Sequence, residues 1–217
     1  MVNADGSGLK RLSHGAHELS DSPAWSPNGR MLAFNRLVRI GFYRIYALNV
    51  SSGKLRPITP RNLDGEEPDW SPDGRRVAFI SARGPGSLTP RISIINADGT
   101  GAHALKLSGK RDRGNPNWSP NGRDLVFSAA LPSAADITGS IYRVRADGTG
   151  LRQLTNPPRG ISDEDPAWSP DGTKIVFTRY NTNFDGGLYV MDSDGSHVRR
   201  LSPMRANDAS PSWQRIH

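Results

Sequence analysis

The stretch Asp165-Pro166-Ala167-Trp168-Ser169-Pro170-Asp171-Gly172-Thr173-Lys174-Ile175-Val176-Phe177 decides the fold, because the chain repeats it. Further copies run from Ser22 to Phe34, from Glu67 to Phe79 and from Asn115 to Phe127, and a fifth begins at Ser210. The five tryptophans of the chain all belong to these copies and are separated by 45, 48, 50 and 45 residues. A period of about 40–50 residues with short strands is typical of β-propeller blades.

Each unit contains four short segments rich in Val, Ile, Tyr, Phe and Leu, which predict four strands. The first strand of each unit is Pro-x-Trp-Ser. The second strands are predicted at 31–35, 76–81, 125–128 and 175–179, and the third strands at 44–50, 91–96, 140–145 and 188–192. The fourth strands are predicted at 56–59, 102–107, 152–155 and 199–202. The predicted fold is all-β, a β-propeller of four-stranded antiparallel blades. Content of 23 glycines and 17 prolines suits many tight turns.

The chain is expected to form one domain over residues 1–217, with complete blades at 22–59, 67–107, 115–155 and 165–202. Residues 1–13 match the last two strands of a unit, and residues 210–217 begin a first strand, so both chain ends together would make a partial fifth blade. That ring lacks one strand. Since an open sheet edge is a template for another chain, we expect self-association or membership of a longer propeller.

The turns inside each unit are of two kinds. Ser-Pro-(Asp/Asn)-Gly joins strands one and two, and Gly-containing turns, mostly Asp-Gly, join strands three and four, as tight hairpins require. Because antiparallel strands alternate in direction, both kinds should lie on one face of the ring. The loops between strands two and three, and the links between units, should lie on the other face. They vary in length, so we expect binding there.

The repeated Trp and Phe are large apolar anchors that we expect to pack between neighbouring blades. An aromatic platform for a base or sugar is the alternative. Acidic residues precede Pro-x-Trp and are expected to surround the channel mouth: Asp21, Glu66, Glu67, Asp163, Glu164, Asp165 and Asp208. They are candidates for binding a basic peptide, or a calcium ion at Glu67 and Asp165, since calcium takes several oxygen ligands. Alternatively, these acids cap turns and stay solvated.

The formal net charge is +7. Some of the basic residues recur after the first turn of each unit, and others recur on the fourth strand. Lys and Arg on such an edge strand deter its pairing with another chain. A second group is predicted to lie in the variable loops, where it could contact an acidic partner: Arg36, Arg39, Arg83, Arg111, Arg113 and Arg159. No basic strip with interleaved aromatics, and no known motif, indicates nucleic-acid binding.

Motifs of the common hydrolases are absent from the sequence. It has no Gly-x-Ser-x-Gly, no phosphate-binding loop and no His-Glu-x-x-His, and it has no cysteine for thiolate chemistry or disulfides. His14 and His17 lie three residues apart without an evident third zinc ligand. Two functions stay open: a non-catalytic scaffold that binds a protein or peptide, and a metal-dependent lyase or hydrolase that uses the acids of the channel mouth.

The units resemble the propeller repeats of the TolB family, which also occur in tricorn protease and in the N-terminal domains of prolyl-oligopeptidase-type enzymes. The residues that carry the likeness are Asn3–Gly8, Asn96–Gly101 and the Pro-x-Trp-Ser-Pro-(Asp/Asn)-Gly copies, and the likeness covers essentially the whole chain. The resemblance implies a periplasmic or extracellular location. It also implies binding of protein partners, as in the Tol system, where TolB binds a peptidoglycan-associated lipoprotein.

Overall fold

The computed structural model describes residues 1, 5–12, 20–81, 90–109, 112–130, 138–202 and 208–213. Over these residues the structure consists of strands and turns, with no helix. The strands in chain order are β1 Ser20–Trp25, β2 Met31–Arg39, β3 Phe42–Asn49, β4 Leu55–Pro57, β5 Glu66–Trp70, β6 Arg76–Ser81, β7 Arg91–Asn96, β8 His103–Ala104, β9 Asp112–Trp118, β10 Asp124–Ala130, β11 Gly139–Arg145, β12 Arg152–Gln153, β13 Ser162–Trp168, β14 Lys174–Tyr180, β15 Gly186–Asp192 and β16 Arg199–Arg200. Nothing in the described segments could cross a bilayer as a helix.

The strands pair in sequence order within each repeat. Strands β1–β4 form one sheet and β5–β8 a second, each antiparallel throughout. Strands β9–β12 and β13–β16 have the same antiparallel order and are joined into one larger sheet by a single parallel bridge, Gly139 to Ser162. We call the four groups of strands units 1 to 4. The all-β prediction is confirmed.

A serine and an Asp or Asn build the first turn of every unit. In unit 2 the Ser71 hydroxyl donates to Asp73 Oδ1 at 2.6 Å and accepts the backbone N–H of Arg76 at 2.9 Å. The same pair of bonds recurs in the other three units. Gly74 closes the turn at a φ of 69°, a conformation that glycine adopts without steric cost. These bonds explain why the repeat carries Ser, Asp or Asn, and Gly at fixed spacing.

The two kinds of turn lie side by side, as predicted. In unit 2 the backbone N–H of Ala97, in the second turn, donates to the carbonyl of Arg75, in the first turn, at 2.7 Å. Equivalent bonds join Val50 to Arg30, Ala146 to Arg123 and Ser193 to Thr173. We call this side of the molecule the turn face, and the opposite side the loop face.

Two parts of the strand prediction are wrong. The sequence predicts strands at 31–35 and 44–50 with a variable loop between them, but β2 continues to Arg39 and β3 begins at Phe42, so that a tight turn at 40–41 joins them. The fourth strands are shorter than expected, since β8, β12 and β16 each cover two residues. These strands pair on one side only, so fewer backbone hydrogen bonds hold their ends in the sheet.

The tryptophan of a unit packs against the unit before it, which confirms the predicted packing for the three central copies. Trp118 lies in one cluster with Ala78, Ile80 and Ile92 of unit 2, and Trp168 packs with Ile141 of unit 3. Trp70 packs in the same way on unit 1. These three indoles are buried, whereas the outer copies are exposed, Trp25 to 48% and Trp213 to 38%.

Polar side chains also connect the first strands of neighbouring units. The middle residue of Pro-x-Trp in unit 2, Asp69, accepts the backbone N–H of Trp118 at 2.7 Å and the amide of Asn117 at 3.2 Å. Asn117 occupies the same position in unit 3 and accepts the backbone N–H of Trp168 at 2.9 Å. In units 1 and 4 this position is alanine. The contacts between central units therefore combine apolar packing with directional bonds.

Replacing Asp69 with alanine should lower the free energy of unfolding by about 1–3 kcal/mol, because the half-buried Trp118 N–H loses its acceptor. Asp69→Asn keeps an oxygen acceptor and should lower it less. Urea unfolding followed by tryptophan fluorescence measures both values. Equal stability of the alanine variant and the unchanged chain would contradict this role. Alanine fits the strand itself, since units 1 and 4 carry it there.

Candidate functional site: a cavity lined by the first strands

The five Pro-x-Trp segments surround one cavity. Its volume is about 1080 Å³, and each copy of the repeat contributes its proline, its tryptophan and the residue between them. Strands β1, β5, β9 and β13 contact one another in sequence order, which brings these segments together. The cavity is therefore a consequence of the repeat, and any side chain that precedes Pro-x-Trp lies near its end on the loop face.

A β-bulge decides which of these side chains face the cavity. Proline cannot donate to the ladder, so strands that contain it pair irregularly at that point. In β5, the two residues between Glu66 and Asp69 oppose a single residue of β6, Phe79, and β1, β9 and β13 have the same irregularity. The residue before each proline takes a φ of 50–52°, and these residues all line the cavity: Ser22, Glu67, Asn115, Asp165 and Ser210.

Two carboxylates, Glu67 and Asp165, therefore line the cavity. Glu67 Oε2 accepts the backbone N–H of Asn115 at 2.5 Å, and Asp165 Oδ2 accepts the hydroxyl of Ser210 at 3.0 Å. Each bond reaches the first strand of the following copy of the repeat. The two acids, predicted from their position before Pro-x-Trp, are thus held by backbone and hydroxyl donors, and neither forms an ion pair in the described part of the chain.

The acids of the cavity mouth repel one another. Burial raises the pKa of Glu67 above its ordinary value, and the charges of Asp165, Asp21 and Glu164 raise it further. Burial also raises the pKa of Glu66, with added repulsion from Asp64, Glu67 and Asp21. Glu67 and Glu66 therefore carry their negative charges at a cost that a bound cation would reduce.

Other predicted site residues lie outside the cavity lining. Asp163 is fully buried, and Arg179 holds both of its oxygens, with Nε–Oδ1 at 2.6 Å and Nη2–Oδ2 at 2.9 Å. This ion pair joins β13 to β14 at directly opposed positions, and we leave Asp163 out of the candidate contact surface. Glu164 Oε1 accepts the hydroxyl of Ser162 at 2.6 Å.

Asp21 and Asp208 complete the predicted acids. Asp21 lies exposed at the start of the first sheet and accepts the side-chain amide of Asn35. Asp208 is half-buried, and its carbonyl lies 2.7 Å from the point where a side chain at Gly186 would begin. A methyl group at Gly186 would clash with this carbonyl, so the position requires glycine.

The predicted loop arginines are distributed differently from the expectation. Arg36 and Arg39 lie on β2 rather than in a loop, because the hairpin there is tight; the guanidinium of Arg36 lies 5.4 Å from the ring of Tyr46 and that of Arg39 lies 4.7 Å from the ring of Phe42. Arg113 belongs to β9 instead of a link, because β9 begins at Asp112. Arg159 is exposed between β12 and β13. Arg83 and Arg111 lie outside the described residues, as do His14 and His17.

The described residues include no group of three or more His, Asp or Glu side chains arranged to hold a metal ion. Glu67 and Asp165 supply two carboxylates to the cavity, fewer than the six to eight oxygens that calcium usually takes. A calcium ion at this pair stays a prediction.

Short antiparallel sheets whose first strands line one cavity define a β-propeller-type repeat protein. Residues 4–217 match the model of the TolB beta propeller domain family, PD40, and the chain belongs to this family.

Among proteins of known sequence, the Tol-Pal system protein TolB of Zymomonas mobilis is 37% identical over 71 residues, which are 32% of this chain and 15% of that protein. The crystal structure of TolB from Acinetobacter baumannii superposes with a TM-score of 0.76 at 22% identity, covering 93% of this chain and 48% of that one. An oligogalacturonate lyase in complex with manganese superposes with a TM-score of 0.66 at 17% identity, covering 92% of this chain and 57% of the lyase. The two structures show a shared fold, and this chain spans about half the length of each.

Glu67→Gln should raise the melting temperature at pH 7. Because the folded-state pKa of Glu67 is raised, the folded chain holds that proton more tightly than the unfolded chain, and stability falls as the pH rises from about 4.5 through the folded-state pKa. The variant lacks this loss, so its advantage should vanish below pH 4. Thermal unfolding between pH 3.5 and 8 measures the effect.

Asp171→Asn is the matched control for this measurement. The hydroxyl of Ser169 lowers the pKa of Asp171, so its charged form favours the folded state, and asparagine at this turn position occurs in units 1 and 3. The control should gain no stability at pH 7. A Glu67→Gln variant that melts at or below the temperature of the unchanged chain at pH 7 would show that the carboxylate is stabilising there.

Proposed function

We propose that this chain is a non-catalytic, TolB-like propeller that binds a protein or peptide through the loop face and the mouth of the central cavity. The observation that carries the proposal is the pair Glu67 and Asp165, which line a cavity of about 1080 Å³ without a described ion-pair partner. The similarity to TolB of the Tol-Pal system supports a protein partner. It also supports a periplasmic location, which we include in the proposal.

The proposed partner presents a cationic group, such as a lysine, an arginine or a free amino terminus, to the cavity mouth. Burial and then the charges of Asp165, Asp21 and Glu164 raise the pKa of Glu67, and a cation bound at Glu67 and Asp165 would offset both effects. Asp21, Glu66 and Glu164 lie around the same mouth and add attraction at longer range. Arg36 and Arg39, on the β2–β3 hairpin, are proposed to contact acidic groups of the same partner.

The proposed architecture is four complete four-stranded blades with a partial fifth. The backbones of Met1 and Lys10 exchange two hydrogen bonds, of 2.7 and 2.8 Å, as opposed residues of two antiparallel strands do. Leu9 and Leu12 lie with Leu32 and Phe34 around a second cavity, on the side of unit 1 that would face a preceding blade. In this proposal another blade, from a longer chain or a second copy, covers the exposed Trp25.

A metal-dependent lyase or hydrolase is the second candidate, and the similarity to an oligogalacturonate lyase in complex with manganese favours it. The described residues fit it less well. They include no histidine at the cavity and no group of three metal-ligating side chains. Catalysis would therefore require ligands from outside the described residues, whereas cation binding requires only the two carboxylates.

Binding of a tetralysine peptide, measured by calorimetry, tests the cationic chemistry directly. The double variant Glu67→Gln/Asp165→Asn should weaken binding about tenfold or more, because both charges in the cavity are lost. The control Asp73→Asn/Asp171→Asn removes the same charge from the turn face and should change affinity by less than about twofold. Affinity capture from a periplasmic extract, compared between the two variants, then tests the protein partner.

Equal weakening in both double variants would mean that net charge alone attracts the peptide, and the cavity assignment would be wrong. Turnover of oligogalacturonate that depends on added manganese and is lost in Glu67→Gln/Asp165→Asn would favour the lyase instead.

A further inference from the structure

A basic groove lies on the turn face of unit 3, away from the acidic cavity mouth. It has a volume of about 720 Å³, and its lining includes four arginines, Arg76, Arg123, Arg143 and Arg145, but only two aspartates, Asp124 and Asp147. We propose that this groove binds a doubly charged oxyanion, a phosphate or sulfate group. The proposal concerns a different face from the peptide-binding site and does not depend on it.

Two of the arginines are fixed in place by the neighbouring unit. The guanidinium of Arg76 lies 4.6 Å from the ring of Trp118 and donates to the carbonyl of Gly122 at 3.4 Å. The guanidinium of Arg143 lies 5.4 Å from the ring of Trp168 and donates to the carbonyl of Ser193 at 3.3 Å. Side chains held in this way lose less conformational entropy when an anion binds.

The other two arginines, Arg123 and Arg145, form no ion pair within the described residues, although the charge of Arg145 helps to lower the pKa of the nearby Asp147. Arg145 lies opposite Asp124 in the β10–β11 ladder, but Asp124 is bound by Arg143, with Nη2 and Oδ2 2.9 Å apart. Arg123 follows the first turn of the unit and is exposed, as is Arg145. Positive charge in the groove is therefore only partly neutralised.

The other units show that the fold does not require this charge. The position of Arg145 is asparagine in units 1 and 2 and aspartate in unit 4, and the position of Arg143 is alanine, isoleucine or valine. In unit 4 the cross-strand pair that corresponds to Asp124 and Arg145 is Lys174 and Asp192, and these two bind each other directly. Unit 3 alone among the four carries arginine at both strand positions, on the same face of β11.

Four guanidinium groups against two carboxylates leave the lining positive, which suits a doubly charged anion more than a singly charged carboxylate. Arginine presents several N–H donors in one plane and binds phosphate or sulfate with two parallel bonds. Arg123 and Arg145, both exposed in the groove lining, would bind such a group, and Arg76, held against Trp118, adds positive charge to the same lining. Asp147 is charged, because the hydroxyl and the backbone N–H of Thr149 and the charge of Arg145 lower its pKa, so an anion at Arg145 binds in competition with this carboxylate.

Calorimetric titration of the full chain with sodium phosphate, and in parallel with sodium sulfate, tests the proposal at constant ionic strength against sodium chloride. The variant Arg123→Thr/Arg145→Asn introduces residues that other units carry at these positions, so it should fold with an unchanged melting temperature. It should bind either anion about tenfold or more weakly, because each lost contact is a charge-assisted hydrogen bond.

The control Arg30→Thr/Arg75→Thr removes two positive charges from the same turn position in units 1 and 2. It should keep the affinity within about twofold. Absence of binding by the unchanged chain for both anions would overturn the proposal. Equal weakening in the control would overturn it too, because the anion would then respond to net charge rather than to the groove.

Discussion

Each first strand of this protein contains a proline, and the structure depends on how the strand accommodates it. Without an N–H to donate, the proline interrupts the ladder, and the strand inserts one extra residue there. The residue before the proline is held at a φ of 50–52°, a conformation that costs about 1 kcal/mol or more for residues other than glycine. In the three central copies, packing of the following tryptophan on the preceding unit helps to offset that cost. The same bend turns one side chain of every repeat toward the central cavity.

This constraint separates scaffold from site within a single motif. Trp70, Trp118 and Trp168 are buried between units, and the serines after them are bound into turns. These positions hardly vary because their contacts are the same in each unit. The residue before the proline faces the cavity, and it is serine, glutamate, asparagine, aspartate and serine in the five copies. Where it is Glu67 or Asp165, its carboxylate also accepts a hydrogen bond from the next first strand. Chemical identity can therefore change there, residue by residue, without disturbing the sheets.

The sequence predicted the repeat, the all-β architecture, the packing of the central tryptophans and the common face of the two turns, because each follows from local spacing. It singled out Glu67 and Asp165 as metal candidates, but it placed all seven acids at the channel mouth and did not separate those that line the cavity from the others. Glu66 and Glu67 are adjacent in sequence, and only the bulge turns Glu67 toward the cavity. The proline inside each short first strand was the signal in the sequence that could have predicted this bulge. It also placed Arg36 and Arg39 in a loop, because pairing between β2 and β3 continues through residues whose composition resembles a loop.

A comparison between units divides the arginines of unit 3 into two groups. Arg30, Arg75 and Arg123 do recur, but Arg143 and Arg145 have no basic counterpart in units 1, 2 and 4. In a repeat protein, residues shared by all units maintain the common fold. A charge that occurs in one unit only, on one face of one strand, therefore calls for an explanation from the contacts of that unit. For Arg143 that contact is Asp124. Arg145 lies opposite the same aspartate in the ladder and is exposed. The charge that distinguishes unit 3 from the other units is therefore in the basic groove, and we place the anion site there.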